Sequence, residues 1–200
     1  MLRSIRVGSQ YRLPEEIIVT DTDKILVLGG CRSGKSNHAL QLAQGMGPRR
    51  LFVATCVPHD NEMQARVDRH RRERSTTWRT LEIPVNLAEA IRAHSPAADV
   101  MLVDCLTLWL NNLLMQTQDA PQIQRQIDDL AEAVRMAPHA VILVSNEVGA
   151  GIVPENRLAR LYRDLAGWTN QAIAAACERV VWTIAGIPVT IKPPFQNTAP

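Results

Sequence analysis

A glycine-rich segment near the start of the chain has the residue types and spacing of a phosphate-binding loop. The apolar run 25–28 leads directly into Gly-x-x-x-x-Gly-Lys-Ser at residues 29–36. Glycines at both ends of such a loop let successive backbone N–H groups point at phosphate oxygens, and the following helix adds its positive N-terminal end. Lys35 would then reach the β and γ phosphates, and the Ser36 hydroxyl would bind Mg²⁺. The sequence therefore predicts a site for a nucleoside triphosphate between a strand and a helix.

A carboxylate that could help to hold magnesium follows another apolar run. Residues 100–103 are Val-Met-Leu-Val, and Asp104 comes next. An aspartate in this place is also commonly a helix cap or a loop residue. Because a phosphate-binding loop lies upstream, we interpret Asp104 as a magnesium residue beside Ser36. These parts bind a nucleotide, but they do not choose between a kinase, a hydrolase and a regulatory switch.

A histidine in an arginine-rich segment is the candidate nucleophile. His70 lies among five arginines, at positions 66, 69, 71, 72 and 74. Nearby cations disfavour protonation of an imidazole, so His70 should be largely neutral at pH 7. The arginines could also neutralise phosphate oxygens during transfer. Spacing alone favours the alternative that His70 packs on an apolar stripe with Met63 and Val67, while the arginines form a solvated face.

The composition indicates one globular domain without a nucleic-acid or membrane partner. The chain has 200 residues, 46% of them hydrophobic, and a net charge of +2. Its apolar runs are shorter than a membrane span, and the N-terminus lacks the apolar core of a signal peptide. The four cysteines form no C-x-x-C pair, which fits reduced thiols. We therefore expect a cytoplasmic protein.

Apolar strands alternate with helical patterns along the chain. We expect strands near 25–28, 50–55, 81–84, 100–105, 140–145, 180–184 and 188–191, and helices near 37–44, 60–72, 87–95, 107–115, 122–136 and 154–177. This alternation predicts an α/β fold, with a mainly parallel sheet covered by helices on both faces and an antiparallel pair at the C-terminus. The domain should span residues 24–192, with an N-terminal appendage at 1–23 and a short tail at 193–200.

Two polar residues follow the strand expected at 140–145. Asn146 and Glu147 should emerge at the sheet edge where open α/β folds place their ligands. They could orient substrate or magnesium, or they could form a turn or cap a helix. The sequence leaves both interpretations open.

Five sequence blocks together closely resemble the bifunctional adenosylcobinamide kinases / adenosylcobinamide-phosphate guanylyltransferases of cobalamin synthesis. The blocks are GGCRSGKS at 29–36, DNEM at 60–63 with Arg66 and His70 downstream, WRTLE at 78–82, SNEVGAGIVP at 145–154 and YRDLAG at 162–167. The resemblance covers about residues 24–192. It implies a P-loop NTPase fold of the RecA-like kind and a homotrimer with the histidine helix near a subunit boundary.

The resemblance also implies two reactions. ATP or GTP phosphorylates the aminopropanol hydroxyl of adenosylcobinamide, and GMP then passes from GTP to that phosphate through a GMP-histidine intermediate. His70 matches the family's guanylylated histidine, and the loop, with Lys35 and Mg²⁺, would hold the departing pyrophosphate. The nucleotide contacts that carry over are Gly29, Gly30, Cys31, Arg32, Ser33, Gly34, Lys35, Ser36, Ala54, Thr55, Cys56, Arg71, Arg72, Glu73, Arg74, Glu82 and Asp104.

The chain departs from the family pattern at three places. Residues 71–75 are Arg-Arg-Glu-Arg-Ser, where relatives often have Lys-Asp-Gly-Arg-Pro, so a glycine turn is replaced by charged residues. Cys56 stands where serine is common, and Asp104 stands where glutamate is common, which shortens the carboxylate's reach. The alternatives to a two-reaction enzyme are a small-molecule kinase without a covalent intermediate and a nucleotide-binding regulator without catalysis.

Overall fold

Strands and helices alternate along the chain. The structure is a computed structural model that describes residues 20, 22–58 and 77–193. Its elements in these residues are β1 Lys24–Gly29, α1 Lys35–Gln44, β2 Arg50–Ala54, β3 Trp78–Glu82, α2 Leu87–His94, β4 Val100–Asp104, α3 Leu106–Gln116, α4 Ala120–Met136, β5 Ala140–Asn146, α5 Arg157–Ala176, β6 Arg179–Ile184 and β7 Ile187–Lys192. A 3-10 turn at Ser95–Ala97 follows α2.

The strands form one sheet in the order β3-β2-β4-β5-β1-β6-β7. The first six are parallel, and β7 pairs antiparallel with β6. The expected α/β fold, with its mainly parallel sheet and antiparallel terminal pair, is therefore confirmed. Parallel pairing aligns the strand ends: Gly29 lies opposite Asn146, and Asp104 lies opposite Ala54 and Val144.

Helices cover both faces of the sheet. Along β1, Ile25 and Val27 pack with α1 on one face, whereas Leu26 points to the other face, where α2, α3, α4 and α5 pack. All three side chains are 0% exposed. A strand buried on both faces reads as a continuous apolar run, which is why the sequence located β1, β4 and β5 so directly.

One strand differs from its expected position. β3 begins at Trp78 and ends at Glu82, earlier than the expected 81–84 segment. Its position at the edge of the sheet explains the error. β3 pairs only with β2, from Arg50 opposite Trp78 to Ala54 opposite Glu82, and its residues Arg79 and Thr80 are exposed, so it lacks a continuous apolar run. The helix expected at 60–72 lies outside the described residues. Within the described part of the chain, no helix combines the length and apolarity needed to cross a membrane.

Candidate nucleotide-binding site

The loop between β1 and α1 has the backbone of an anion-binding turn. Gly34 has φ 95°, a left-handed conformation that favours glycine, and Arg32 also has a positive φ of 56°. The Ser33 N–H donates to the Gly30 carbonyl at 3.3 Å. α1 starts at Lys35 with no side-chain cap and no acidic residue in its first turn. Its first N–H groups and its positive end are therefore available to an anion at this loop.

Close packing against β6 and the turn that follows it fixes the loop. A Cβ added to Gly29 would collide with Ser33 Oγ and lie 2.7 Å from the Thr183 carbonyl oxygen. The Gly186 N–H, in the turn after β6, donates to the Ser33 carbonyl at 2.9 Å. The sequence predicts a connection at Ala185-Gly186 between the two terminal strands, but its contact with the loop was not predicted.

Lys35 and Asp104 both lie near the end of β4. The Lys35 Nζ donates to the Gly30 carbonyl at 3.0 Å. The pKa of the Cys105 thiol is raised to about 11, first by burial and next by the charge of Asp104, whereas Lys35 acts in the opposite direction. The Lys35 ammonium and the Asp104 carboxylate therefore both lie close enough to the Cys105 thiol to influence it electrostatically. With a pKa of about 11, this thiol stays protonated at neutral pH.

The donor set fits magnesium. Ser36 offers a hydroxyl and Asp104 a carboxylate, and hard oxygen ligands of this kind are those that Mg²⁺ takes. No group of three or more His, Cys, Asp or Glu side chains that could hold a metal occurs among the described residues. Mg²⁺ is usually bound by one or two protein oxygens together with substrate phosphates and water, so this small set suits it.

Four of the expected nucleotide contacts lie at the ends of β2 and β3, and their side chains differ in exposure to solvent. Ala54 and Cys56 are half-buried and Glu82 is exposed, all at the carboxyl edge of the sheet. Thr55 instead is 0% exposed. Its Oγ1 donates to the Cys105 carbonyl and accepts from the Cys105 N–H, each at 2.8 Å. The Thr55 hydroxyl is therefore fully engaged inside the protein.

The end of β5 and the residues after it are held by hydrogen bonds within the protein. The Asn146 amide donates to Thr107 Oγ1 at 2.7 Å, and the Tyr162 hydroxyl donates to the Thr107 carbonyl at 3.2 Å. A Glu147 carboxylate oxygen accepts from the Gly149 N–H at 2.5 Å, which is a turn-forming contact. The sequence analysis placed Tyr162 in the YRDLAG block but did not predict its contact with Thr107, because that contact joins elements distant in sequence.

The candidate nucleophile and the arginine cluster fall in a part of the chain that the structure does not describe. The predicted site residues that lie outside the described part of the chain are His70, Arg71, Arg72, Glu73 and Arg74.

The site has the parts of one recurrent protein class. A buried strand leads through a left-handed glycine turn into an uncapped helix that carries a lysine and a serine at its start. A second strand, β4, brings a carboxylate to the same edge of the sheet. Such parts on a parallel sheet define a P-loop nucleotide-binding protein.

Comparison with known proteins narrows this class to a family. The family described as cobinamide kinase / cobinamide phosphate guanyltransferase matches residues 25–191. The bifunctional adenosylcobalamin biosynthesis protein CobP of Pseudomonas aeruginosa is 47% identical over 167 residues, covering 84% of this chain and 96% of that protein. The bifunctional adenosylcobalamin biosynthesis protein CobU of Salmonella typhimurium is 44% identical over 180 residues, covering 84% and 99%. The chain belongs to the cobinamide kinase / cobinamide phosphate guanyltransferase family and is a bifunctional enzyme.

A solved structure with part of the same arrangement was also found. The KaiC-like protein PH0186 of Pyrococcus horikoshii OT3 aligns with a TM-score of 0.48 and 14% identity, covering 81% of this chain and 71% of that chain. A likeness at this level adds nothing to the assignment.

Proposed function

We propose that the protein phosphorylates adenosylcobinamide with ATP or GTP and then transfers GMP from GTP to the new phosphate through a GMP adduct of His70. One nucleotide site serves both reactions. The observation that carries the proposal is the loop at residues 29–36, whose uncapped helix end lies at the same carboxyl edge of the parallel sheet as Asp104. The family match over residues 25–191 supports the choice of substrates.

In the kinase reaction the aminopropanol hydroxyl attacks the γ phosphorus, and the bond to the β-phosphate oxygen breaks. Backbone N–H groups of the loop and Lys35 bind the phosphates and stabilise the charge that develops on the leaving diphosphate. Ser36 and Asp104 would hold Mg²⁺, which supplies charge neutralisation at the β and γ phosphates when it is bound. The Lys35 Nζ donates to the Gly30 carbonyl at 3.0 Å, and the ammonium has two further N–H donors for phosphate oxygens.

In the transfer reaction a neutral nitrogen of His70 attacks the α phosphorus of GTP, and pyrophosphate leaves. A phosphate oxygen of the corrinoid then attacks the same phosphorus, so GMP passes on and the histidine is restored. Arg71, Arg72 and Arg74 neutralise phosphate charge. Glu73, which lies between these arginines in the sequence, is also proposed to contact the nucleotide.

The remaining nucleotide contacts lie at the carboxyl edge of β2 and β3. Ala54, Cys56 and Glu82 are at least partly exposed there, and β2 is the neighbour of β4 in the sheet. We assign these three residues to the nucleoside part of the nucleotide, because the phosphates are taken by the loop after β1. Open α/β sheets bind ligands at this edge.

The assembly is a homotrimer in the cytoplasm. The four free cysteines, at positions 31, 56, 105 and 177, suit a reducing compartment. The catalytic domain spans 24–192, which agrees with the limits of the family match and with the first and last strands. Residues 1–23 are an appendage, and 193–200 are a tail.

The two half-reactions test the proposal separately. With cobinamide and γ-labelled ATP, His70→Ala should retain phosphorylation within about threefold of wild type, because the kinase step uses the loop and Asp104 and forms no bond to His70. With cobinamide phosphate and α-labelled GTP, the same variant should lose transfer by about a thousandfold or more. Lys35→Met should impair both, whereas His94→Ala, a change on α2, should impair neither. Full transfer by His70→Ala would contradict the covalent route.

A further inference from the structure

We infer that Thr55 is a positioning residue for Asp104 rather than a nucleotide contact. This inference rests on the proposed magnesium role of Asp104. Thr55 follows β2 directly, and Asp104 is the last residue of the neighbouring strand β4. The two strands are paired up to Ala54 and Asp104, so Thr55 is the first residue beyond that ladder.

Three consecutive backbone groups at the end of β4 bond to Thr55. Its N–H donates to the Asp104 carbonyl at 3.3 Å. Its hydroxyl accepts from the Cys105 N–H and donates to the Cys105 carbonyl, at 2.8 Å in each case. One residue therefore fixes the backbone on the carboxyl side of Asp104, while the sheet fixes it on the other side.

The connection that Thr55 holds is a single residue long. α3 begins at Leu106, so Cys105 alone joins it to β4. Thr55 is 0% exposed, so water does not compete for its hydroxyl. A hydrogen bond that is buried and satisfied at both ends orients its partners strongly, and losing it leaves buried groups without partners.

Asn112 closes the arrangement from α3. Its amide donates to the Thr55 carbonyl at 2.8 Å and to the Pro84 carbonyl at 2.9 Å. A side chain of α3 therefore fixes the backbone of Thr55, and Thr55 in turn fixes the backbone next to Asp104. Residues in the second layer around a metal commonly change metal affinity about tenfold or more when they are removed, without contacting the metal.

The test measures metal affinity separately from nucleotide affinity. Mn²⁺ stands in for Mg²⁺ and is titrated by electron paramagnetic resonance in the presence of the α,β-methylene analogue of GTP, in which the α–β bridge cannot be cleaved. Thr55→Val keeps the shape and removes the hydroxyl. It should weaken Mn²⁺ binding by about tenfold, whereas affinity for the analogue in excess chelator should stay within about twofold of wild type. Thr55→Ser, which keeps the hydroxyl, should bind Mn²⁺ nearly as wild type does.

Thr169→Val is the matched control. Thr169 is also buried, at 1% exposed, but its hydroxyl donates to the Leu165 carbonyl in its own helix. The control should leave Mn²⁺ affinity unchanged, so a general effect of losing a buried hydroxyl is separated from the effect at Asp104. If Thr55→Val does not fold, Asn112→Ala takes its place, with an expected loss of about threefold.

Asp104→Asn separates the two ways in which the account can fail. If Asp104→Asn loses Mn²⁺ affinity while folded Thr55→Val, or Asn112→Ala in its place, matches wild type, the inference is wrong and the proposed metal site stands. If Asp104→Asn itself binds Mn²⁺ as wild type does, both are wrong. A joint loss in Asp104→Asn and Thr55→Val, with Thr55→Ser and Thr169→Val unchanged, supports the inference.

Discussion

His38 lies on the buried side of α1, in the first turn after the phosphate-binding loop. It is 5% exposed, and its Nε2 has no hydrogen-bond partner among the described residues. Burial lowers the pKa of His38 from the usual 6.5, because the charged imidazolium loses its hydration there. The folded protein therefore favours the neutral form, and the helix that follows the loop packs through an uncharged imidazole.

This burial predicts a pH dependence of stability. The unfolded chain protonates His38 near pH 6.5, whereas the folded protein resists protonation, so stability is lost as the pH falls below about 6.5. In His38→Leu, the part of this stability loss at low pH that comes from His38 should disappear. Urea unfolding at about pH 7.5 and about pH 5.5 measures it, with His94→Leu on α2 as the control. An unchanged pH difference in His38→Leu would mean that burial does not lower the pKa of His38 in the folded protein.

At the scale of elements, the β1–α1 loop depends on a turn from the far end of the chain. Gly29 faces Ser33 and Thr183, and Gly186 donates to the loop. Gly30, the next residue, would place a Cβ where no atom lies within 4 Å. The two adjacent glycines therefore differ: Gly29 is needed for close packing, whereas the space beside Gly30 is open.

The two glycines make a matched pair of substitutions. Gly29→Ala should lower the free energy of unfolding by about 1–3 kcal/mol, because a methyl group 2.7 Å from a backbone oxygen forces the loop and β6 apart. Gly30→Ala should change it by no more than about 0.5 kcal/mol. Chemical denaturation compares the two variants. Similar losses in both would show that the packing at Gly29 does not support the loop.

At the scale of the whole molecule, the sequence predicted the layers well. The buried strands are runs of apolar residues, and the spaced glycines followed by Lys-Ser identify the loop from residue types alone. The role of Thr55 could not be predicted, because β2 and β4 are neighbours only in the folded sheet, and Trp78–Glu82 was misplaced because an edge strand carries a weaker apolar pattern. The support from Gly186 depends on the same kind of non-local pairing.

The trimer is a prediction at this scale. Light scattering should give about three times the chain mass of 22.2 kDa at micromolar concentration. A mass equal to one chain would contradict the proposed assembly and leave the chemistry of the loop untouched.

The most direct test of the account is covalent labelling of His70. Wild type and His70→Ala are incubated with Mg²⁺ and GTP labelled at the α phosphate, without corrinoid, and the denatured proteins are examined for label that acid releases. We predict label on wild type and none on His70→Ala, and no label on either when the γ phosphate carries it. A folded wild-type protein that binds GTP yet stays unlabelled, or His70→Ala labelled like wild type, would contradict the GMP-histidine route.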